Sequence, residues 1–333
     1  MGVTRRNLGR YATILVGIFL TGLLSACDAK NPKVVRNWEE AAQGIYTGVI
    51  STDGRYNLVG SLNHGVSLWR NQDQERLFDW NHRQGEFTAL VAADFSPDGE
   101  RAVTTDPRTL VLWDTTSGKA LGFWATPSAA YSVALAPDGR HVLMGLEDQT
   151  AVYFDALSGT YGHTFLHQGE VYSVDLSGDG ATALTGSEDN TAKLWSIDSG
   201  KEIRTFQHTN PVRVIALSQD GNLAFAAAQG REVMIWDATS GEPRLKLHDR
   251  NPGVTTAQFS PEGDELLVGY VNRSLELWDT RALKRLAHWQ MKSRNAWHPT
   301  GSAIRSLGFS TSRQRYLVLT GAGWMYQLAG DQP

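Results

Sequence analysis

A strand-like run that ends in an aromatic residue recurs about every 41 residues along the chain. The aromatics that end the runs are spaced 44, 41, 41, 41 and 42 residues apart, and they are Trp69, Trp113, Phe154, Trp195, Trp236 and Trp278. A weaker seventh run reaches Leu328. A unit of this size cannot bury its own apolar face, so neighbouring units must stack on one another. The repeat therefore predicts one all-β domain over residues 33–330 and favours a binding body over an enzyme.

Each unit contains the pattern of four short strands. In the fourth unit, strand-like segments at 171–177, 181–186, 191–195 and 201–206 are separated by turn-forming residues. The turn before the second strand ends in a glycine in six units, at Gly54, Gly99, Gly139, Gly180, Gly221 and Gly263. This glycine lies 15 residues before the aromatic in five units and 14 in the other. Such regularity indicates that the units share one structure.

These features resemble WD40 repeats, through the Trp-Asp ending, the Ser-Pro-Asp-Gly turn at 96–99 and the four strands in each unit. The resemblance implies a seven-bladed β-propeller of four-stranded antiparallel blades. It also implies that His167, Thr185, Asp189 and Trp195 form the family's structural tetrad, in which buried polar groups satisfy one another's hydrogen bonds. The other units depart from this pattern: Met144 and Thr126 replace the hydroxyl and imidazole in the third, and Gly230 replaces the carboxylate in the fifth.

The last unit is one strand short, because 304–328 supplies three strands before the chain ends. Residues 33–38, Lys-Val-Val-Arg-Asn-Trp, parallel 201–206, Lys-Glu-Ile-Arg-Thr-Phe, which form a fourth strand. We therefore expect the N-terminal strand to complete the last blade and close the ring.

The first 26 residues have the order of a secretory signal: basic residues, then an apolar run at 11–24, then small residues. The sequence Leu24-Ser-Ala-Cys27 resembles the lipobox of bacterial lipoproteins, which implies that Cys27, the single cysteine, is lipidated and becomes the N-terminus. Residues 27–32 would then be a short tether. Asp28 resembles an inner-membrane retention signal, so we expect a lipid-anchored protein of the bacterial envelope, on the inner membrane and facing the periplasm. An outer-membrane location, an ordinary cleaved signal, an uncleaved anchor and twin-arginine export remain alternatives.

Two sets of residues are candidates for partner binding. Eight residues before each turn glycine lies a position that opens the innermost strand, and it reads Tyr46, Val91, Tyr131, Tyr172, Arg213 and Thr255, with Arg305 aligned in the seventh unit. We call these seven positions the column; Tyr and Arg are enriched at interface hot spots. The second candidate is the long segment around 289–302, with Lys292, Arg294 and Trp297. The column could instead only pack the channel rim, and the long segment could be a tolerated insertion whose Trp covers the seventh blade.

No motif for catalysis, a metal or a cofactor stands out, so we expect a non-catalytic scaffold that binds protein partners. Without residues 1–26 the chain has 28 Lys and Arg against 35 Asp and Glu, a net charge of −7, which argues against nucleic-acid binding. We expect a monomer. A small-ligand sensor or enzyme that uses the channel, and an envelope-assembly factor that binds β-strands, remain alternatives. The sequence at 114–119, followed by Trp124, weakly resembles a quinoprotein docking motif.

Overall fold

The computed structural model describes residues 33–61, 63–230, 232–247, 253–292, 303–312 and 314–330. Cys27, Asp28, Arg294 and Trp297 lie outside these ranges. The described part contains 28 strands and no helix. The strands form seven four-stranded sheets, and in every sheet neighbouring strands run antiparallel. The prediction of an all-β, seven-bladed propeller is confirmed.

Six blades are formed by four consecutive strands each, in the order from the innermost to the outermost strand. Blade 1 comprises β2 (Ile45–Ile50), β3 (Tyr56–Ser61), β4 (Gly65–Arg70) and β5 (Glu75–Asp79). Blade 2 comprises β6 (Ala92–Phe95), β7 (Arg101–Thr105), β8 (Thr109–Asp114) and β9 (Ala120–Ala125). Blade 3 comprises β10 (Ala130–Leu135), β11 (His141–Leu146), β12 (Thr150–Asp155) and β13 (Thr160–Leu166).

Blade 4 comprises β14 (Val171–Leu176), β15 (Thr182–Ser187), β16 (Thr191–Ser196) and β17 (Glu202–Gln207). Blade 5 comprises β18 (Val212–Leu217), β19 (Leu223–Ala228), β20 (Val233–Asp237) and β21 (Pro243–Lys246). Blade 6 comprises β22 (Val254–Phe259), β23 (Glu265–Tyr270), β24 (Ser274–Asp279) and β25 (Lys284–Gln290).

Blade 7 joins the two ends of the chain. Its inner strands are β26 (Ile304–Phe309), β27 (Arg315–Thr320) and β28 (Trp324–Ala329), and its outermost strand is β1 (Val34–Glu39). β1 pairs antiparallel with β28. The expected closure of the ring by the N-terminal strand is confirmed, with the strand shifted by one residue from 33–38.

The joint between blade 7 and blade 1 is also fixed by side chains. Trp38 is buried and its Nε1 donates to Glu40 Oε1 at 2.8 Å, while Asn57 Nδ2 donates to Glu40 Oε2 at 2.6 Å. Burial raises the pKa of Glu40 to about 7. One carboxyl group thus receives a hydrogen bond from each side of the joint.

The apolar core is divided among the seven contacts between neighbouring blades. One cluster of buried side chains lies between each pair of adjacent blades, including the pair formed by blades 7 and 1. Because every cluster draws residues from two blades, no blade has a core of its own, and burial requires the complete ring.

The turn glycines fix the register of the strands. All six turn glycines named above have φ between 61° and 71°, a left-handed conformation that glycine adopts without steric cost. The turns therefore end one strand and begin the next at the same point of every unit.

Candidate functional site

The column lies on one end of the propeller, and a backbone irregularity positions it. In six innermost strands the pairing register shifts across the column residue, as between Ala130 and Ser132 around Tyr131. Each of these residues is therefore the extra residue of a β-bulge, a feature that redirects a side chain and often lies beside functional sites. Val91 is the exception, because it precedes β6. We call this end of the propeller the bulged face.

Three column residues from adjacent blades touch one another. The rings of Tyr131 and Tyr172 lie 5.5 Å apart at an interplanar angle of 54°. The guanidinium carbon of Arg213 lies 3.7 Å from the centre of the Tyr172 ring, the geometry of a cation–π contact. Both tyrosines are half-buried and Arg213 is exposed. Blades 3, 4 and 5 thus present a continuous aromatic and cationic arc.

The two phenols of the arc remain protonated at neutral pH. Partial burial and then the neighbouring Glu170 carboxylate raise the pKa of Tyr131 to about 12. The same two causes raise the pKa of Tyr172. Both hydroxyls therefore remain hydrogen-bond donors, with the Glu170 carboxylate as the acceptor beside them.

The remaining candidate residues lie apart from this arc. Tyr46 is 55% exposed and Arg305 is exposed, whereas Thr255 Oγ1 donates to the main-chain oxygen of Gly269 at 3.1 Å. Lys292 is exposed just after β25, on the connection that leads to Arg305. The structure brings together Tyr131, Tyr172 and Arg213, and it leaves the others as separate positions around the face.

The four tetrad residues of blade 4 form one buried hydrogen-bond chain. His167 Nδ1 lies 2.8 Å from Asp189 Oδ2, and His167 Nε2 lies 2.7 Å from Thr185 Oγ1. Trp195 Nε1 donates to the same hydroxyl at 2.8 Å. Burial opposes ionisation of Asp189, but hydrogen bonds from His167, the Gln168 N–H and Thr191 hold its pKa well below the usual range. The four side chains thus satisfy one another's hydrogen bonds, which is a structural role.

Blade 2 contains a second complete tetrad, and the expectation that the other units depart from the pattern is wrong there. His82 Nε2 lies 2.9 Å from Thr104 Oγ1, Trp113 Nε1 donates to Thr104 Oγ1 at 2.7 Å, and His82 Nδ1 lies 3.3 Å from Asp106. His82 lies 31 residues before Trp113, whereas the histidine of blade 4 lies 28 residues before its tryptophan. The difference arises because the connection from β5 to β6 is longer than that from β13 to β14. Aligning residue types without fixing that spacing would have found it.

Blade 5 retains two rings of a tetrad without the hydroxyl between them. His208 and Trp236 have ring centres 6.0 Å apart, the separation of His167 and Trp195 in blade 4. Ala226 stands where blade 4 has Thr185. Ala226 pairs with Met234 and Thr185 pairs with Lys193, and each of these partners lies two residues before the tryptophan of its blade. Both ring nitrogens of His208 and the Trp236 Nε1 are buried without a hydrogen-bond partner among the described residues.

The family comparison fits this geometry. The family model described as WD domain, G-beta repeat matches residues 159–196, 200–237 and 241–279. The chain carries WD40 repeats. Each matched segment covers the outermost strand of one blade and the three inner strands of the next, so each of the three matched repeats links two blades. A search of curated proteins finds no match to the chain.

WD40 propellers commonly serve as protein-interaction scaffolds and generally bind protein partners. Within the described residues, no group of three His, Cys, Asp or Glu side chains is placed to hold a metal ion. The same part of the chain contains no helix of the length and apolar character needed to cross a bilayer.

The central channel of the WD40 propeller contains a cavity of about 210 Å³ with two carboxyl groups that sequence reasoning missed. Asp94 Oδ2 accepts from the Leu135 N–H at 2.8 Å, and Asp175 Oδ2 accepts from the Leu217 N–H at 2.7 Å. Burial raises the pKa of Asp94 to about 7 and that of Asp175 to about 6. Each carboxyl group satisfies a main-chain donor on the next blade, so its first role is to join inner strands.

Proposed function

We propose that this WD40 propeller is a lipid-anchored scaffold of the bacterial envelope that binds a protein partner on its bulged face and catalyses no reaction. The observation that carries the proposal is the arc of Tyr131, Tyr172 and Arg213, held by β-bulges on three adjacent blades. The two tyrosines are partly buried and Arg213 is already stacked on one of them, so these side chains lose little entropy on binding, which suits an interface hot spot.

The chain path gives the anchored propeller an orientation. The connection from β1 to β2 reaches Tyr46 on the bulged face, so β1 begins at the opposite end of blade 7. Five residues separate Cys27 from Lys33, and they reach roughly 17 Å when extended. With a lipid on Cys27, the propeller lies close to the bilayer and its bulged face points away from it.

Replacing Cys27 with Ser should release the protein from membranes into the soluble fraction. The thiol is the atom that would carry the lipid, and each buried CH₂ of an acyl chain contributes about 0.8 kcal/mol to membrane binding. Fractionation with an antibody to the propeller, together with labelling by radioactive palmitate, measures both effects. Asn31→Ser introduces the same residue into the tether and should leave attachment intact. Persistent membrane attachment of Cys27→Ser would rule out the lipid anchor.

The double variant Tyr131→Ala/Tyr172→Ala should lose its cross-linked partner while it remains folded and membrane-bound. Removing both rings also removes the surface on which Arg213 stacks. The measurement is chemical cross-linking in membranes followed by affinity capture. The control is Ile203→Ala, which truncates an exposed apolar side chain on the outer rim. Equal recovery of the partner by both variants would show that binding occurs elsewhere.

A further inference from the structure

The outermost strands of the seven blades differ in how they are protected from pairing with another chain. An open strand edge is a template for a further strand, and proteins commonly block it with charged residues or proline. Five outermost strands carry at least one Lys, Arg, Asp or Glu, and they are β1, β5, β17, β21 and β25. The two without any are β9, Ala-Leu-Gly-Phe-Trp-Ala, and β13, Thr-Tyr-Gly-His-Thr-Phe-Leu.

These two uncharged strands belong to neighbouring blades, and we call them the neutral rim. Of the 12 large hydrophobic residues that are exposed in the described structure, five lie on these strands or the turn before β13: Leu121, Phe123, Leu157, Tyr161 and Leu166. Phe123 is 54% exposed and Leu166 65%. The Phe154 ring contacts Trp124 at 5.6 Å and Tyr161 at 5.0 Å, so aromatic side chains bridge the two blades. Exposed apolar area concentrated in this way indicates an interaction surface.

The main chain of β9 offers an edge to a partner. Thr126 N–H donates to the Arg108 oxygen at 2.9 Å, on the side of β8. Because hydrogen-bonding direction alternates along an antiparallel strand, Phe123 and Ala125 direct their N–H and C=O groups away from β8. The Ala125 oxygen accepts from Tyr161 Oη at 3.3 Å, and this contact shows that the oxygen points away from β8. Tyr161 therefore closes one end of the edge, and the open part centres on Phe123.

The main chain of β13 has the same arrangement. His167 N–H donates to the Gln149 oxygen at 3.0 Å, so Thr164 and Leu166 direct their polar groups away from β12. The Leu166 oxygen accepts from Lys193 Nζ at 3.3 Å and closes that end. Thr164 occupies the register position of Phe123, since it pairs with Val152 as Phe123 pairs with Val111.

We propose that the neutral rim is a second binding surface, separate from the bulged face, which pairs with an extended uncharged β-strand of a partner protein. A strand is the occupant that matches the outward-directed N–H and C=O groups of Phe123 and Thr164, and main-chain pairing supplies affinity in strand addition. Leu121 and Phe123 flank the edge with apolar side chains, so the strand carries apolar side chains on the facing side. β9 and β13 themselves carry no Lys, Arg, Asp or Glu, so neither strand rewards a charged partner strand as the other outermost strands can.

The test measures binding of a fluorescent peptide, Thr-Val-Thr-Phe-Thr-Val-Thr, to the detergent-solubilised full-length protein by anisotropy. The variant Phe123→Lys/Thr164→Lys places a charge on each open edge and should weaken binding at least about tenfold. The control Thr205→Lys makes the same change at the matching position of β17, which is already charged, and should leave affinity unchanged. Melting curves establish that all variants are folded.

A second peptide separates main-chain pairing from apolar contact. Methylation of two consecutive nitrogens at the centre of the peptide removes donors from both of its edges and should abolish binding. Equal binding of both peptides, equal loss in Thr205→Lys, or no binding to the unchanged protein would overturn the proposal. So would sedimentation that shows a dimer dispersed by Phe123→Lys, because the occupant would then be a second copy. Binding of the Cys27→Ser protein to zwitterionic vesicles through the same residues would also overturn it, because the occupant would then be a lipid surface and not a strand.

Discussion

A chain that begins at Glu40 should lose the single cooperative unfolding transition that a chain beginning at Lys33 retains. Removing 33–39 deletes β1, the outermost strand of blade 7, and leaves the outer edge of β28 unpaired. It also removes Trp38, which is 7% exposed and packs in the cluster between blades 7 and 1. Losing a buried aromatic alone costs about 3–5 kcal/mol, a large part of the about 5–15 kcal/mol that stabilises a domain.

The effect should extend beyond blade 7 because each core cluster is shared between two blades. Once the ring opens, blades 7 and 1 each lose a partner, and their neighbours become less stable in turn. Thermal unfolding followed by circular dichroism and by calorimetry measures the change. The chain that begins at Lys33 controls for loss of the residues before β1. A melting curve shared by the two truncated chains would show that the N-terminal strand does not hold the ring closed.

The regular spacing of turns made most of the fold predictable. The third strand of the fourth unit, expected at 191–195, begins at Thr191 and ends one residue later at Ser196, because glycine turns of positive φ fix the register. The boundaries of β15 and β17 lie one residue later than expected, since strand ends depend on pairing with neighbours. The closure by β1 was predictable because the last unit was one strand short.

The functional surfaces were predictable only in part. The column could be located by counting from a glycine, but a bulge is visible only when both paired strands are known. The contact of Tyr131 with Tyr172, and not with Tyr46, follows from the order of blades around the ring. The tetrad of blade 2 escaped detection because its longer connection changes the spacing. The neutral rim emerged only when the structure showed which strand is outermost in each blade.

Replacing Thr185 with Val should destabilise the propeller by about 2–5 kcal/mol. The Thr185 hydroxyl is fully buried and contacts both His167 Nε2 and Trp195 Nε1. Valine preserves the shape of the side chain but leaves both ring nitrogens unpartnered, and each buried polar group without a partner costs about 1–3 kcal/mol. Denaturant unfolding measures the change. Thr182→Val is a matched control on the same strand, because the Thr182 hydroxyl is buried and has no hydrogen-bond partner. That control breaks no hydrogen bond and removes a buried hydroxyl that has no partner, so it should not lower stability.

The converse substitution in blade 5 tests whether the hydroxyl itself is the stabilising group. Ala226→Thr places a hydroxyl between His208 and Trp236, whose ring separation equals that of the complete tetrad in blade 4. The new group can accept from the Trp236 N–H and pair with a His208 nitrogen, so stability should rise by about 1 kcal/mol. Ala226→Val adds the same volume without the hydroxyl and should not produce this gain. If Thr and Val at this position behave alike, packing and not the shared hydroxyl governs the tetrads.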